Sequence, residues 1–410
     1  MTTPTVLHGP ERHEALAGEA WSEGAARAAI QRWVGAALAD FEPGRGWRAH
    51  PREDGGPPGE PLAEVYGGAG GAIWALEHLA EAGAVDKRWD FAGFVPGLAA
   101  QQVAALGDSQ HGTASFLIGE AGLRLLAWKL TRDDREAQRL FDVVQGNLAN
   151  PVREQLWGSS GTVLAAIAMA EHTGQARWVD LVRRAVQALW DEMELIEAAG
   201  GAWGWVQNLY GRVGTLIGAG HGFVGNVYPA VRGAAFIPPE WLDGFARRAL
   251  AFLQATALRD GDAVNWWPRV PQPAPADKPP LVQDCHGAPG IVCRLAPLPR
   301  SVPDADPWDR LLLQAGELTW RAGPLTKGVA FCHGTAGNAH ALLHLFARTG
   351  DERWLARARA FAMHGIVQVE RERQVHGQGR HTLWSGDLGM ACVLWDCIGG
   401  RPGVPTLERF

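Results

Sequence analysis

Apolar residues along this chain recur at the three- and four-residue spacing of helices, not at the alternation of strands. VDLVRRAVQALWDEM (179–193) and LARARAFAMHGIVQV (355–369) show the pattern clearly. Such amphipathic stretches alternate with short segments that are apolar almost throughout. The spacing predicts amphipathic helices over 20–40, 88–105, 132–148, 176–197, 240–258, 306–321 and 352–372. Few stretches read as strands.

Each apolar segment is introduced by two glycines three positions apart. The pairs are Gly68/Gly71, Gly119/Gly122, Gly158/Gly161, Gly222/Gly225, Gly287/Gly290, Gly334/Gly337 and Gly386/Gly389. In a chain with 52 glycines one pair would carry no weight; seven, spaced by 39 to 65 residues, are a repeat. A second echo keeps the same register, because EAGAVDKRW, EHTGQARW and ARTGDERW each end in a tryptophan (Trp89, Trp178, Trp354). The pattern predicts an all-α fold of seven outer amphipathic helices, each followed by a buried inner one. With the last inner helix near the C-terminus, the first outer helix can close the ring. A double-layered α/α toroid follows, formed by residues 1–410 as a single domain. The glycines would sit where inner-helix N-termini crowd together. Those N-termini would share one end of the barrel and favour anions there. Proline-rich segments at 51–61 and 271–280 read as loops within the toroid.

Composition narrows the function classes. Hydrophobic residues make up 47% and charged residues 20%, the profile of a globular protein. The net charge of −6 without a basic run argues against nucleic acid or an anionic membrane surface. No segment approaches the ~20 apolar residues of a membrane span. Charges fall where a signal peptide would need an apolar core, so a cytoplasmic location is expected. Five scattered cysteines suit metal binding or catalysis better than a disulfide framework. Nineteen tryptophans against three tyrosines are expected to fill helix–helix interfaces.

Two glycine motifs are preceded by the same pair of residues: Cys285-His286 and Cys332-His333. Adjacent repeats of a toroid would set equivalent positions side by side at the mouth. Two thiolates and an imidazole suit one zinc ion per chain and leave a fourth position open, as in catalytic sites. His221 stands in the same register as His286 and His333 and is typed for acid–base work near neutrality. Glu154, four residues before Gly158, would lie just above the mouth. His111 falls out of register. His340 and His344 read as structural residues of a buried helix, and Cys293, Cys392 and Cys397 as packing residues.

The motifs GHGFVG, CHGAPG and FCHGTAGN on seven glycine-marked helix pairs resemble the lanthionine synthetase C-like family, over Gly68 to Gly389. The resemblance implies a double toroid of seven outer and seven inner helices, with zinc on Cys285, Cys332 and His333. It implies acid–base roles for His221 and Glu154, and places His286 where bacterial cyclases often carry tyrosine. The CHGAPG and CHGTAGN wording is closer to stand-alone members that add glutathione to dehydroamino acids. Lys327 matches a lysine those proteins use for glutathione. The expected activity is zinc-dependent addition of a thiol to dehydroalanine or dehydrobutyrine in a peptide or protein, giving a thioether. The thiol would be intramolecular (cyclisation) or glutathione. His221 or His286 would protonate the enolate, and Glu154 would accept the thiol proton. The alternative is a zinc-dependent glutathione- or peptide-binding protein without turnover. A toroidal glycosidase would need two carboxylates across a cleft, and no such pair occupies equivalent repeat positions.

Overall fold

The structure is a computed structural model that describes residues 6–53, 59–107, 112–209, 211–272 and 278–410. His111 and the centres of both proline-rich segments (54–58 and 273–277) lie outside the described residues.

Helix boundaries follow local chemistry. Ser22 caps α1 (Glu23–Ala39) by accepting the Ala25 N–H at 3.2 Å. Asp133 and Asp351 cap the fifth and thirteenth helices in the same way. The buried helices begin at the glycine motifs: α2 (Ala69–Glu81), α4 (Ala121–Thr131), α6 (Ser159–Thr173), α8 (Phe223–Arg232), α10 (Ala288–Leu295), α12 (Thr335–Thr349) and α14 (Asp387–Gly399). Between them run α3 (Val95–Leu106), α5 (Asp134–Gly146), α7 (Ala176–Asp191), α9 (Pro239–Thr256), α11 (Ala305–Ala322) and α13 (Glu352–His376).

Each inner helix contacts the next around the circle, and α14 contacts α2. The outer helices pack between their sequence neighbours, except that α9 packs on α8 alone of its two, while α1 lies on α13 and α14. This is the expected α/α toroid, with its ring closed by the N-terminal helix. Its core is continuous, and Trp33, Trp178, Trp308 and Trp354 of the outer helices are fully buried in it. The last residues fold inward as well. Val404 and Leu407 are buried, the Tyr228 hydroxyl and Arg232 donate to the Leu407 carbonyl, and the Trp384 indole donates to Thr406 Oγ1.

Three expected helices differ at their ends. α3 starts at Val95, not residue 88; Pro96 fits its first turn, and Trp89 is held before it by Glu77, whose carboxylate accepts the indole N–H at 2.9 Å. α7 ends at Asp191 because Glu194–Ile196 (β1) pairs with Ala202–Gly204 (β2). α9 stops at Thr256, where Ala257 turns extended and opens a hairpin. Here cross-strand pairing outcompetes helical spacing.

The glycine pairs have a single steric cause. In all seven motifs a Cβ on the second glycine would overlap the carbonyl oxygen of the residue six positions earlier: 65, 116, 155, 219, 284, 331 and 383. The loop before each inner helix folds back onto the helix's first turn, and only a bare backbone admits it. Gly287, the first glycine of its pair, meets the Leu281 carbonyl oxygen and also has a φ of +107°. Gly389→Ala is therefore expected to destabilise the fold by about 1–3 kcal/mol through overpacking. Denaturant unfolding would read this as a lower midpoint; an unchanged midpoint would show that the loop can move aside.

Candidate metal centre and active site

The folded-back loops form a ring of their own. The residues two positions before each first glycine are Tyr66, Leu117, Leu156, Gly220, Cys285, Cys332 and Trp384. Backbone hydrogen bonds run between them around the mouth. Tyr66 N donates to Leu117 O (3.0 Å), Leu156 N to Gly220 O (3.1 Å) and Gly220 N to Cys285 O (3.3 Å). Cys285 N donates to Cys332 O (3.1 Å), Cys332 N to Trp384 O (3.0 Å) and Trp384 N to Tyr66 O (3.3 Å). Equivalent loop positions thus face one another by construction, and Cys285 and Cys332 are neighbours because their repeats are.

Both cysteines are free and buried, and their side chains interact directly. The Gln283 amide donates to Cys285 Sγ at 2.9 Å. His333 bonds to Cys332, and its Nδ1 lies 3.3 Å from the Tyr66 hydroxyl. The hydrogen bond with Cys285, then burial and the Cys285 charge, hold the Cys332 thiol well above its usual range; His333 opposes them. Burial, with Cys332 and Cys285 adding, does the same to Tyr66. Two buried thiols and an imidazole in contact are a donor set that a zinc-like cation would relieve, since it offsets the charge that burial penalises. The three predicted ligand atoms do not all lie within 4.8 Å of one another, a span that His340, His344 and Glu408 meet elsewhere among the described residues.

One position further along, His221, His286 and His333 occupy consecutive repeats, each half-buried at the mouth. His221 and His286 stack at 5.3 Å with 26° between their planes. His221 Nδ1 lies 2.8 Å from Glu154 Oε2. Burial alone would lower the pKa of His221, but the hydrogen bond and charge of Glu154 outweigh it and raise the value. Burial, with the charge of His221 adding, pushes His286 down to about 3. One imidazole of the stack is therefore tuned to carry a proton and the other to stay neutral.

Glu154 is fully buried behind His221, and its second oxygen accepts the Trp157 backbone N–H. Glu154 therefore meets the mouth only through His221. Lys327 stands exposed on the loop before Cys332, its carbonyl bound by Arg52 Nη2 at 2.5 Å. Lys327 lines a small surface depression with Arg52, Arg373 and Arg380, which are paired with Glu372, Asp387 and Glu53.

Several residues of the site were not foreseen. Tyr66 and Trp384 occupy the cysteine register on neighbouring repeats and stack at 6.3 Å. That shared register was the available signal. A cavity of about 430 Å³ opens beside them, lined by Glu53, Glu64, Gln102, Trp157 and His221. Burial raises Glu64 there to about 7 against the Gly67 N–H it accepts. Behind Cys285, Asp284 and Arg294 form a two-bonded ion pair at 2.9 Å with both side chains fully buried, and Gln155 Oε1 accepts from the same guanidinium.

Comparison with known proteins agrees with this geometry. The family model described as lanthionine synthetase C-like protein matches residues 58–405. The LanC-like protein GCL1 of Arabidopsis thaliana is 33% identical over 30% of this chain and 29% of its own length. The glutathione S-transferase LANCL1 of Danio rerio is 27% identical over 60% of this chain and 62% of its own length. The matches thus span less than two thirds of either relative. Among solved structures, nisin cyclase superposes with a TM-score of 0.55 at 14% identity, covering 91% of this chain and 93% of that one, a likeness of fold.

Proposed function

Because this chain belongs to the lanthionine synthetase C-like family, we propose that it adds a thiol to dehydroalanine or dehydrobutyrine in a peptide or protein and so forms a thioether. Cys285, Cys332 and His333 would hold one zinc ion. The observation that carries the reading is the placing of these three side chains and the His221–Glu154 pair around one mouth. Zinc, when bound with an open position, lowers the pKa of a thiol and keeps its sulfur nucleophilic.

The chain's own residues have distinct tasks. The backbone bond from Cys285 to Cys332 fixes the spacing of the thiols, and Gln283 orients Cys285 Sγ. Tyr66 steadies His333. The thiolate attacks the β-carbon, the C=C π bond opens, and charge moves onto the enolate. Glu154 accepts from His221 Nδ1, which leaves Nε2 to deliver a proton to the α-carbon. His286, which burial and the charge of His221 hold neutral, stacks on His221, and the proton the thiol gives up leaves to solvent. The sum is addition of S–H across the double bond. The cavity beside Tyr66 and Trp157 has room for a peptide segment, and the exposed Lys327 is the candidate contact for a glutathione carboxylate. Reduced cysteines at the mouth fit a cytoplasmic setting. No helix among the described residues is long and apolar enough to cross a membrane.

Cys332→Ala is expected to lose the mouth's zinc and, with it, thioether formation. Elemental analysis of the purified variant reads the metal; an unchanged zinc content in both Cys332→Ala and Cys285→Ala would refute the assigned ligands.

A further inference from the structure

A second group of ligating side chains lies inside the barrel, apart from the mouth. His340 and His344 stand four residues apart on α12, on one face of the helix, and both are buried. Glu408 reaches them from the inward-folded C-terminal tail. His340 Nε2 and His344 Nε2 are 3.1 Å apart, and Glu408 Oε1 lies 3.2 Å from the first and 3.1 Å from the second. The three atoms form a nearly equilateral triangle, and the two rings meet at 89°.

Protons alone fill this triangle poorly. A ring N–H lies in its ring plane and points along one line. If both Nε2 atoms carry protons toward Glu408, two donors face each other at 3.1 Å with nothing between them. If one histidine donates to the other, that donor no longer serves the carboxylate. One edge is left without a bond in each arrangement. A cation above the triangle uses all three lone pairs at once. Zinc bonds of ~2.0–2.1 Å in tetrahedral geometry would separate such ligands by roughly 3.3 Å, close to the spacing found.

The surroundings add a second feature of metal sites. His340 Nδ1, buried and without a hydrogen bond, lies 3.7 Å from Asp396 Oδ2. A carboxylate behind the outer nitrogen of a histidine is the usual means of orienting a metal ligand. Asp396 also lines a cavity of about 470 Å³ with His78 and Arg409, which offers a way in for an ion. We propose that His340, His344 and Glu408 bind a second divalent metal ion, of the zinc type, that fastens the C-terminal tail to α12. Its burial and its tie between two distant segments mark it as structural. It does not depend on the mouth's zinc.

The test uses the full chain, stripped of metal by chelation and reloaded with zinc or cobalt(II). In a Cys285→Ser/Cys332→Ser variant one zinc per chain is expected to remain, and Glu408→Gln added to it should remove that ion. The cobalt form of the cysteine variant should show ligand-field bands without thiolate charge-transfer bands. No zinc in the cysteine variant, together with an unchanged zinc content in Glu408→Gln alone, would overturn the proposal and leave a His–Glu ion pair. Should Glu408→Gln fail to fold, the cobalt spectrum decides by itself, since absent bands refute the site. If only the mouth reading is wrong, the cysteine variant matches wild type while Glu408→Gln still loses one ion.

Discussion

His221→Ala is expected to keep the mouth's zinc and to lose turnover by about 10²- to 10⁴-fold, the range for removing a positioned acid. The proposed ligands sit on neighbouring repeats, and the lost imidazole is not one of them. Glu154 sets the strength of this acid. Its hydrogen bond and charge raise His221 against the effect of burial, so the protonated form persists to higher pH than in a free histidine. Glu154→Gln removes that support, lowers the pKa and should shift the alkaline limb of the kcat profile to lower pH. Steady-state kinetics with a dehydroalanine peptide would read both effects. Undiminished turnover in His221→Ala would remove it as the proton donor and move attention to Glu64, whose carboxyl burial raises to about 7 in the same cavity.

Arg294→Met should cost about 3–5 kcal/mol of folding stability, because it leaves Asp284 charged and unpaired in the core. Both side chains are fully buried and joined by two hydrogen bonds, and Asp284 immediately precedes Cys285. The pair therefore couples the core to the loop that presents a proposed metal ligand. Asp284→Asn combined with Arg294→Met removes both charges and should recover part of the loss. Urea unfolding of the three variants would show it. A loss below about 1 kcal/mol for Arg294→Met would mean that water or a shifted carboxylate compensates the missing cation.

Much of the architecture was legible because its causes are local. Each second glycine answers to a carbonyl only six residues back, so the requirement repeats with every unit and stands out in the sequence. The Cys-His pairs were legible for a related reason, since equivalence of position in a ring becomes adjacency in space. Residues acting across the chain were not. Tyr66 reaches His333 over 267 positions, and Glu408 joins His344 over 64. Tyr66 could be found only through the register it shares with the cysteines, and nothing near Glu408 in sequence announces its partners. His340 and His344 were read as structural residues of a buried helix, and both are buried; their convergence on a carboxylate needed the folded tail. Glu154 was placed just above the mouth, but a lone glutamate gives no sign of the histidine it pairs with.

The central claim is that this mouth joins a thiol to a dehydroamino acid. Mass spectrometry of a dehydroalanine peptide incubated with the zinc-loaded protein, with and without glutathione, tests it most directly. The account predicts either a glutathione adduct formed only with the enzyme and lost in Cys332→Ala, or, with a peptide carrying its own cysteine, a ring formed without change of mass and read by loss of the free thiol. Neither product above the uncatalysed background, from a protein shown to carry its zinc, would contradict the account and leave a metal-dependent binding protein in its place.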